Sequence, residues 1–285
     1  MSSAKAAARA ESGVLYLVST PIGNLGDMSH RAVEVLSSAA LVLAEDTRHS
    51  RRLLDHYHIG TPLSSYHEHN EAKETPRLVA RLKAGDSIAL ISDAGTPLIS
   101  DPGSRLVDAA VAAGVPVVPI PGPSAVMAAL VASGMSLERF TYFGFLPRKG
   151  KERTGTIADV VASQATSILF EAANRVGATL EALVDAGAGE RAAVVARELT
   201  KQFEEFKRGS VGELADAYKE TDPKGEVVLV IAGAESPVVT EHALSDAATS
   251  LRASGKTPRD VMDYLITALG APRNVAYRIA HRSDS

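Results

Sequence analysis

Residues 87–103 read Ser-Ile-Ala-Leu-Ile-Ser-Asp-Ala-Gly-Thr-Pro-Leu-Ile-Ser-Asp-Pro-Gly. A short apolar run, 87–91, breaks into a turn rich in Gly and Pro that carries two carboxylates, Asp93 and Asp101. A run this apolar and this short predicts a strand covered on both faces, as in the sheets of α/β proteins. The loop after such a strand lies where open α/β sheets take their ligands, beyond the carboxyl ends of the strands. A carboxylate there can accept hydrogen bonds from ribose hydroxyls or from a cationic amino group, and exposed backbone can reach an adenine edge. A structural Asx turn accounts for the same residues.

Working outward, the same alternation continues. Strands are expected at 14–19, 41–44, 63–66 and 115–119, and helices at 31–38, 48–56, 74–83 and 103–113. A second unit begins near Pro123, with a helix at 124–133, a strand at 139–144 and a basic linker at 147–154. A strand at 166–171, a helix at 176–186, a strand at 192–198, a helix at 211–220 and a strand at 227–232 follow. The fold class is α/β: two α/β domains, 13–122 and 123–236, preceded by a disordered Ala- and Ser-rich tail at 1–12. A small helical appendage is expected at 243–285. In it Thr257-Pro258-Arg259-Asp260 reads as a capped helix start, Gly270 as a stop and Pro272 as the opening of a second helix. The pair resembles a helix-turn-helix; a helical cap on the second domain is the alternative. Its apolar residues are too few for a core of its own, so one face is expected to dock on the body.

Bulk properties narrow the function. The 285 residues are 45% hydrophobic and include no cysteine, which excludes a disulfide framework, a zinc-thiolate site and a thiol nucleophile, and fits a cytoplasmic protein. The apolar region 107–135 is broken by Pro116, Pro119, Pro121 and Pro123, so no membrane span is expected. Net charge is −4, yet basic residues cluster. Arg148, Lys149, Lys151 and Arg153 fall together. Arg252, Lys256, Arg259, Arg273, Arg278 and Arg282 stand against four Asp after Ser245. Such patches guide polyanions more than total charge does, although a solvated linker and tail have the same composition.

Other strand ends carry further signals. Ser19-Thr20-Pro21-Ile22-Gly23-Asn24-Leu25 lacks the G-x-G-x-x-G and acidic residue of a dinucleotide site. In Pro121-Gly122-Pro123-Ser124-Ala125 the prolines remove amide donors a phosphate loop needs, and no P-loop occurs elsewhere, which excludes ATP and GTP chemistry. Ala44-Glu45-Asp46-Thr47-Arg48-His49, Phe170-Glu171-Ala172-Ala173-Asn174-Arg175 and Ala196-Arg197-Glu198-Leu199-Thr200-Lys201 each end an apolar strand in paired charges, a feature of clefts and of structural ion-pair networks alike. Glu45, Asp46 and His49 could remove a proton, and Arg197 and Lys201 suit phosphate or a developing oxyanion. His67 and His69, without other clustered ligands, read as a polar loop, and no metal is expected.

Taken in order, these motifs resemble the tetrapyrrole methylase superfamily, the class III methyltransferases, and within it the ribosomal RNA small subunit methyltransferase I branch. The resemblance runs from about residue 15 to residue 233. It is carried by Thr20-Pro21-Ile22-Gly23-Asn24-Leu25, Ala44-Glu45-Asp46-Thr47-Arg48, His69-Asn70-Glu71, Ser92-Asp93-Ala94-Gly95-Thr96-Pro97 with Asp101-Pro102-Gly103, Pro121-Gly122-Pro123, Gly144-Phe145-Leu146-Pro147 and Ala196-Arg197-Glu198-Leu199-Thr200-Lys201. It implies 2′-O-methylation of a cytidine ribose in 16S ribosomal RNA, free or in the 30S subunit, by a homodimer holding S-adenosylmethionine in a cofactor cleft between two domains. The implied cofactor contacts are Pro21, Ile22, Asp93, Thr96, Ser124, Ala125, Phe170, Leu199 and Gly225. Glu45 or Asp46 would stand near the nucleophile, with Arg48, Arg197 and Lys201 on phosphate or ribose. Arg148, Lys149, Lys151, Arg153, Arg259, Arg273 and Arg278 would bind RNA. The family usually has Ser-Pro-His-Arg where this chain has Ala172-Ala173-Asn174-Arg175, so no titrating base stands at Asn174. A methylase of a small tetrapyrrole, and an RNA-binding or assembly protein without catalysis, are the two alternatives.

Overall fold

The computed structural model describes residues 10–220, 223–235 and 240–281. The chain forms two compact units divided after residue 234. In chain order the first unit holds β1 (Leu15–Val18), α1 (His30–Ser38), β2 (Leu41–Ala44), α2 (Thr47–His56), β3 (Leu63–Ser65), α3 (Glu71–Lys83), β4 (Ile88–Ile91), α4 (Ser104–Ala112), β5 (Val117–Ile120) and α5 (Ala125–Ser133). It continues with β6 (Phe140–Phe145), α6 (Gly150–Ala162), β7 (Thr166–Ala172), α7 (Val176–Leu183), β8 (Ala192–Arg197), β9 (Glu205–Ser210), α8 (Val211–Tyr218) and β10 (Glu226–Ile231). The second unit is α9 (Glu241–Ala253), α10 (Pro258–Thr267) and α11 (Arg273–Ala280).

The first sheet has the order β3-β2-β4-β1-β5, and all its pairs are parallel. The buried strands divide their side chains between two apolar layers. Tyr16, Val18, Val42 and Ile91 pack with α1 and α2 on one face; Leu15, Leu43, Ile88 and Leu90 pack with α3 and α4 on the other. From β1 the chain leaves toward β2, whereas from β4 it leaves toward β5 on the opposite side. The loops at the adjacent carboxyl ends of β1 and β4 therefore diverge, which opens a crevice at that point.

The second sheet, β6-β7-β10-β8-β9, is parallel only at β6–β7 and antiparallel at its other pairs. One face carries α6, α7 and α8 over Leu169, Val195 and Leu229. The other carries α5, whose Val126 and Leu130 pack on Ile168, Val194 and Val230 together with Ile22 of the first half.

Several expectations change. The strand β9 escapes sequence pattern because Glu205, Lys207 and Arg208 leave little apolar alternation on this edge strand, where charges suit an unpaired edge. The basic stretch 147–154 is not a linker between domains: α6 starts at Gly150, inside the second sheet's half of the chain. Residues 10–12 are bound to the first sheet's half, with the Ala10 and Glu11 amides donating to Ser38 Oγ and Tyr16 Oη and Ser12 Oγ donating to the Gly85 carbonyl. Residues 1–9 lie outside the described ones.

The C-terminal helices do have a core, built from Leu244, Ala248, Val261, Leu265, Ala276 and Ile279. Sequence reading placed two helices here and missed α9, which supplies the third wall. Thr257 and Asp260 cap α10 reciprocally, with Pro258 in its first turn, as the motif predicts.

Candidate functional site

Three loops that are far apart in sequence make one wall of the crevice. Thr20 and Gly95 exchange two backbone hydrogen bonds of 2.8 and 3.0 Å, and the buried Thr20 hydroxyl donates to the Ser92 carbonyl at 3.1 Å. Gly95 sits at φ +82°, and a Cβ there would meet Ile22 Cγ2 at 3.2 Å, so both conformation and space call for glycine. The Thr96 hydroxyl donates to the Pro123 carbonyl at 3.2 Å and accepts from Ser19 Oγ at 3.3 Å. These bonds fix the Thr20–Asn24, Ser92–Pro97 and Pro121–Ser124 motifs relative to one another.

Between this wall and the second sheet lies a cavity of about 320 Å³. Ile22, Asp93 and Thr96 line it from the wall, Ser124 and Ala125 from the start of α5, and Phe170, Leu199 and Gly225 from the second sheet and its loops. Pro21 is buried and does not line the cavity. The Ser124 side chain caps α5, accepting from the Met127 amide at 3.4 Å. With the Thr96 hydroxyl also engaged, these two residues shape the site as much as they offer polar groups to it.

Asp101, Ser100, Phe145, Glu171 and Glu226 also line the cavity, although none is among the implied cofactor contacts. Asp101 was legible as the second carboxylate of the 87–103 stretch; the others come from loops and strand ends that only folding brings together. Tyr142 and Phe145 each meet Phe170 edge-on, with centroids 5.2 and 5.3 Å away. The Tyr142 hydroxyl also bonds Ser100 Oγ at 2.7 Å, joining β6 to the loop after β4.

Leu98 and Ser100 have φ of +75° and +65°, and Glu198 and Thr200 have +52° and +65°. Each pair flanks a cavity residue, Ile99 or Leu199. A left-handed non-glycine residue costs about 1–2 kcal/mol, so both loops hold strain at the cavity wall, where strained backbone tends to gather.

The charged lining is one-sided: Asp93, Asp101, Glu171 and Glu226 reach the cavity, and among the described residues no lysine, arginine or histidine does. Glu171 is spoken for. Its buried carboxylate accepts from Arg175 at 2.7 Å, Thr179 Oγ1 at 2.6 Å and the Ala172 amide at 2.8 Å. Asp101 is pushed up to about 6, by burial first and then by Glu45 and Asp93. Burial and Asp93 also raise Glu45, at the end of β2. Asp46 behaves oppositely. Hydrogen bonds from the Arg48 side chain and backbone hold it at about 2, and it caps α2. It is therefore ionised near neutral pH, and its amide donates to Asp93 Oδ1 at 3.3 Å.

The cations expected on phosphate are engaged within the protein. Arg197 pairs with Glu205 at 3.0 Å and donates to the Lys224 carbonyl. Lys201 bridges Glu198 and Glu226 at 2.8 and 3.0 Å. Burial pulls its ammonium down, but these two carboxylates outweigh that and leave it above the ordinary lysine value. Its stem covers Gly23, where a Cβ would come within 2.4 Å of Lys201 Cγ. Gly225, at φ +95°, presses against Glu198 in the same cluster. Arg48 pairs with Asp46 yet its side chain is 90% exposed. His49 is exposed, as is Asn174.

Of the basic stretch, Arg148, Lys149 and Lys151 are exposed, whereas Arg153 donates to the Pro147 carbonyl and to Thr179 Oγ1. In the C-terminal unit Arg259 and Arg273 border a groove, and Arg278 pairs with Glu241 at 2.9 Å. Arg282 lies outside the described residues. No group of three or more metal-ligating side chains occurs among the described residues, and His67 and His69 meet only edge-on.

Residues 14–215 match the sequence profile of the Tetrapyrrole (Corrin/Porphyrin) Methylases. The chain is 46% identical over 271 residues to a ribosomal RNA small subunit methyltransferase I from Synechocystis, covering 94% of this chain and 97% of that one. It is 52% identical over 223 residues to a protein of the same name from Mesorhizobium japonicum, covering 78% and 76%. In fold it is similar to a uroporphyrin-III C-methyltransferase from Thermus thermophilus solved with S-adenosyl homocysteine, at a TM-score of 0.54, 16% identity, and coverage of 77% and 96%.

Proposed function

The chain belongs to the tetrapyrrole methylases and, among them, to the ribosomal RNA small subunit methyltransferase I family, and we propose from that premise that it uses S-adenosylmethionine to methylate the ribose 2′-oxygen of a cytidine in 16S ribosomal RNA. The observation that carries the cofactor reading is the cavity lining: apolar walls of Ile22, Val126, Leu199 and Val228 with carboxylates and, among the described residues, no cation. That set fits a ligand with an aromatic base, ribose hydroxyls and positive charge. It opposes a polyphosphate nucleotide, whose charges need donors and cations.

When bound, S-adenosylmethionine supplies a methyl group already activated on a sulfonium. The chain's own residues then have to orient and deprotonate. Asp93, fixed by the Asp46 amide, accepts hydrogen bonds from ribose or ammonium. Phe145 and Phe170 wall the site against water. A ribose hydroxyl is a weak nucleophile near neutral pH, and a base works best with a pKa close to the working pH. Asp101 meets that condition, with Glu45 raising it from the side; Asp46 does not. Lys201 and Arg197 act as positioning residues that hold the 198–201 loop. Arg48, Arg148, Lys149 and Lys151 are the exposed cations of this unit offered to RNA phosphates, and the helical unit that begins beyond residue 234 adds Arg259, Arg273 and Arg278.

A homodimer in the cytoplasm is part of the same reading. A helix that is apolar all round normally has all its faces covered. Yet α5 reads Ala-Val-Met-Ala-Ala-Leu-Val-Ala-Ser and leaves Met127 and Val131 exposed, which a second copy would bury. No described helix is long and apolar enough to cross a membrane.

The test is methyl transfer from labelled S-adenosylmethionine to unmethylated 30S subunits, followed by nucleoside mass spectrometry. 2′-O-methylcytidine in the 16S RNA is the expected product. Methylation of a porphyrinogen and not of subunits would move the chain to the small-molecule branch. Cofactor binding with no methyl transfer to either would leave a binding protein.

A further inference from the structure

The C-terminal unit carries a surface that the cavity does not explain. Arg273, Asn274 and Tyr277 of α11 and His281 at its end follow one another at spacings of i, i+1, i+4 and i+8, on the side of the helix away from the core residue Ile279. With Arg259 and Met262 of α10 they line a groove of about 750 Å³. Among the described residues neither Arg259 nor Arg273 forms a salt bridge, although Arg259 helps to lower the Asp260 pKa. The Tyr277 and His281 rings stack with centroids 4.2 Å apart and planes 28° from parallel, and the Tyr277 residue is 58% exposed.

Each part alone is unremarkable, but their combination selects a ligand. Two guanidinium groups outside any salt bridge among the described residues favour anions spaced along a chain. A stacked aromatic pair presented to solvent favours a flat π system, and Asn274 offers both a donor and an acceptor to a base edge. Bases in a duplex are already stacked on each other, so a ring pair gains nothing from them. In a single strand they can be splayed onto aromatic side chains. An acidic peptide would satisfy the arginines and leave the rings unused.

We propose that the α10–α11 groove binds a single-stranded RNA segment, with one base laid on the Tyr277–His281 pair and neighbouring phosphates on Arg259 and Arg273. This rests on the RNA substrate proposed above and adds how it is held: by an unpaired stretch of RNA and not by the groove of a helix.

The experiment is fluorescence anisotropy of the full-length chain with a short unstructured RNA and a hairpin duplex of equal charge, at several salt concentrations. The single strand should bind more tightly. Tyr277→Ala should weaken single-strand binding by between about fivefold and a hundredfold and leave the salt slope unchanged. Tyr277→Phe should restore most of the affinity, since the ring is kept. Arg259→Ala with Arg273→Ala should flatten the slope of log affinity against log salt by about 1.4, the value for two phosphates on a single strand. Circular dichroism of each variant confirms that the helices are intact; if Tyr277→Ala unfolds the unit, His281→Ala carries the stacking test.

Preference for the duplex overturns the proposal, as does full affinity in folded Tyr277→Ala or His281→Ala. So does competition by polyglutamate as strong as that by RNA. Methylation of 30S subunits at saturating concentration separates the two readings. If it proceeds normally while the groove shows no preference for single strands, the groove assignment alone fails; if the groove behaves as expected and no methyl is transferred, the catalytic reading fails.

Discussion

Replacing Asp101 by Asn tests electrostatics and chemistry at one position. In the ligand-free fold the carboxyl sits at about 6 against an ordinary 3.8. Folding therefore favours the protonated acid. The stability this group contributes is fully present below its unfolded value, near pH 4, and is lost as the pH rises through about 6. One pKa unit corresponds to about 1.4 kcal/mol, so at pH 7.5 the ionised group costs the fold about 2–3 kcal/mol. Asparagine has nearly the same shape and cannot ionise. Asp101→Asn should then stabilise the protein by about 2–3 kcal/mol at pH 7.5 and by about nothing at pH 4. For a unit of this size that is a rise in Tm of about 4–10 °C at the higher pH. Methyl transfer should fall about a hundredfold or more, because an amide takes no proton. Thermal melts of ligand-free protein at the two pH values, with turnover on 30S subunits, give both readouts. Equal Tm shifts at pH 4 and 7.5 would refute the charge argument. A stabilised variant with full turnover would remove Asp101 from the reaction.

Asp93→Ala should weaken S-adenosylmethionine binding by the roughly 1.5–3 kcal/mol of a charge-assisted hydrogen bond, with Tm of the ligand-free protein little changed; calorimetry at unchanged affinity would place Asp93 outside the site. Glu171→Gln leaves Arg175 facing a neutral partner at a site where the carboxylate is fully buried. A broken buried pair costs about 3–5 kcal/mol, so its urea midpoint should drop sharply, and a midpoint at the wild-type value would show that the Thr179 and Ala172 bonds suffice. Lys201→Met keeps the stem over Gly23 and removes only the charge. Since Glu226 is largely exposed, the loss should be about 1 kcal/mol and the fall in turnover under about tenfold; a hundredfold loss at unchanged Tm would return Lys201 to the transition state.

Much of this protein is legible in its sequence for a local reason. A strand such as 88–91, apolar at every position, is buried on both faces wherever it lies, and Ser124 or Thr257 can cap only the helix that begins beside it. Strand and helix order, the ligand loops at strand ends and the α10 capping box all follow from such short-range constraints. So does the exclusion of phosphate-loop chemistry, which needs amides that prolines do not have.

Tertiary structure decided what depends on partners distant in sequence. Glu45 and Asp46 are adjacent and chemically alike, yet one is raised by burial and by Asp93, 48 positions away, and the other is held at about 2 by Arg48 in its own helix start. Lys201 and Arg197 read as cations for phosphate because their carboxylates, Glu226 and Glu205, belong to other strands. The edge strand β9 and the helix α9 carry weak patterns of their own, and each exists because a neighbour supplies the rest of its layer. Local chemistry specifies elements and the places where ligands can meet them, but charge, proton affinity and exposure are properties of the assembled surroundings, because electrostatic and burial energies depend on distance in space and not along the chain.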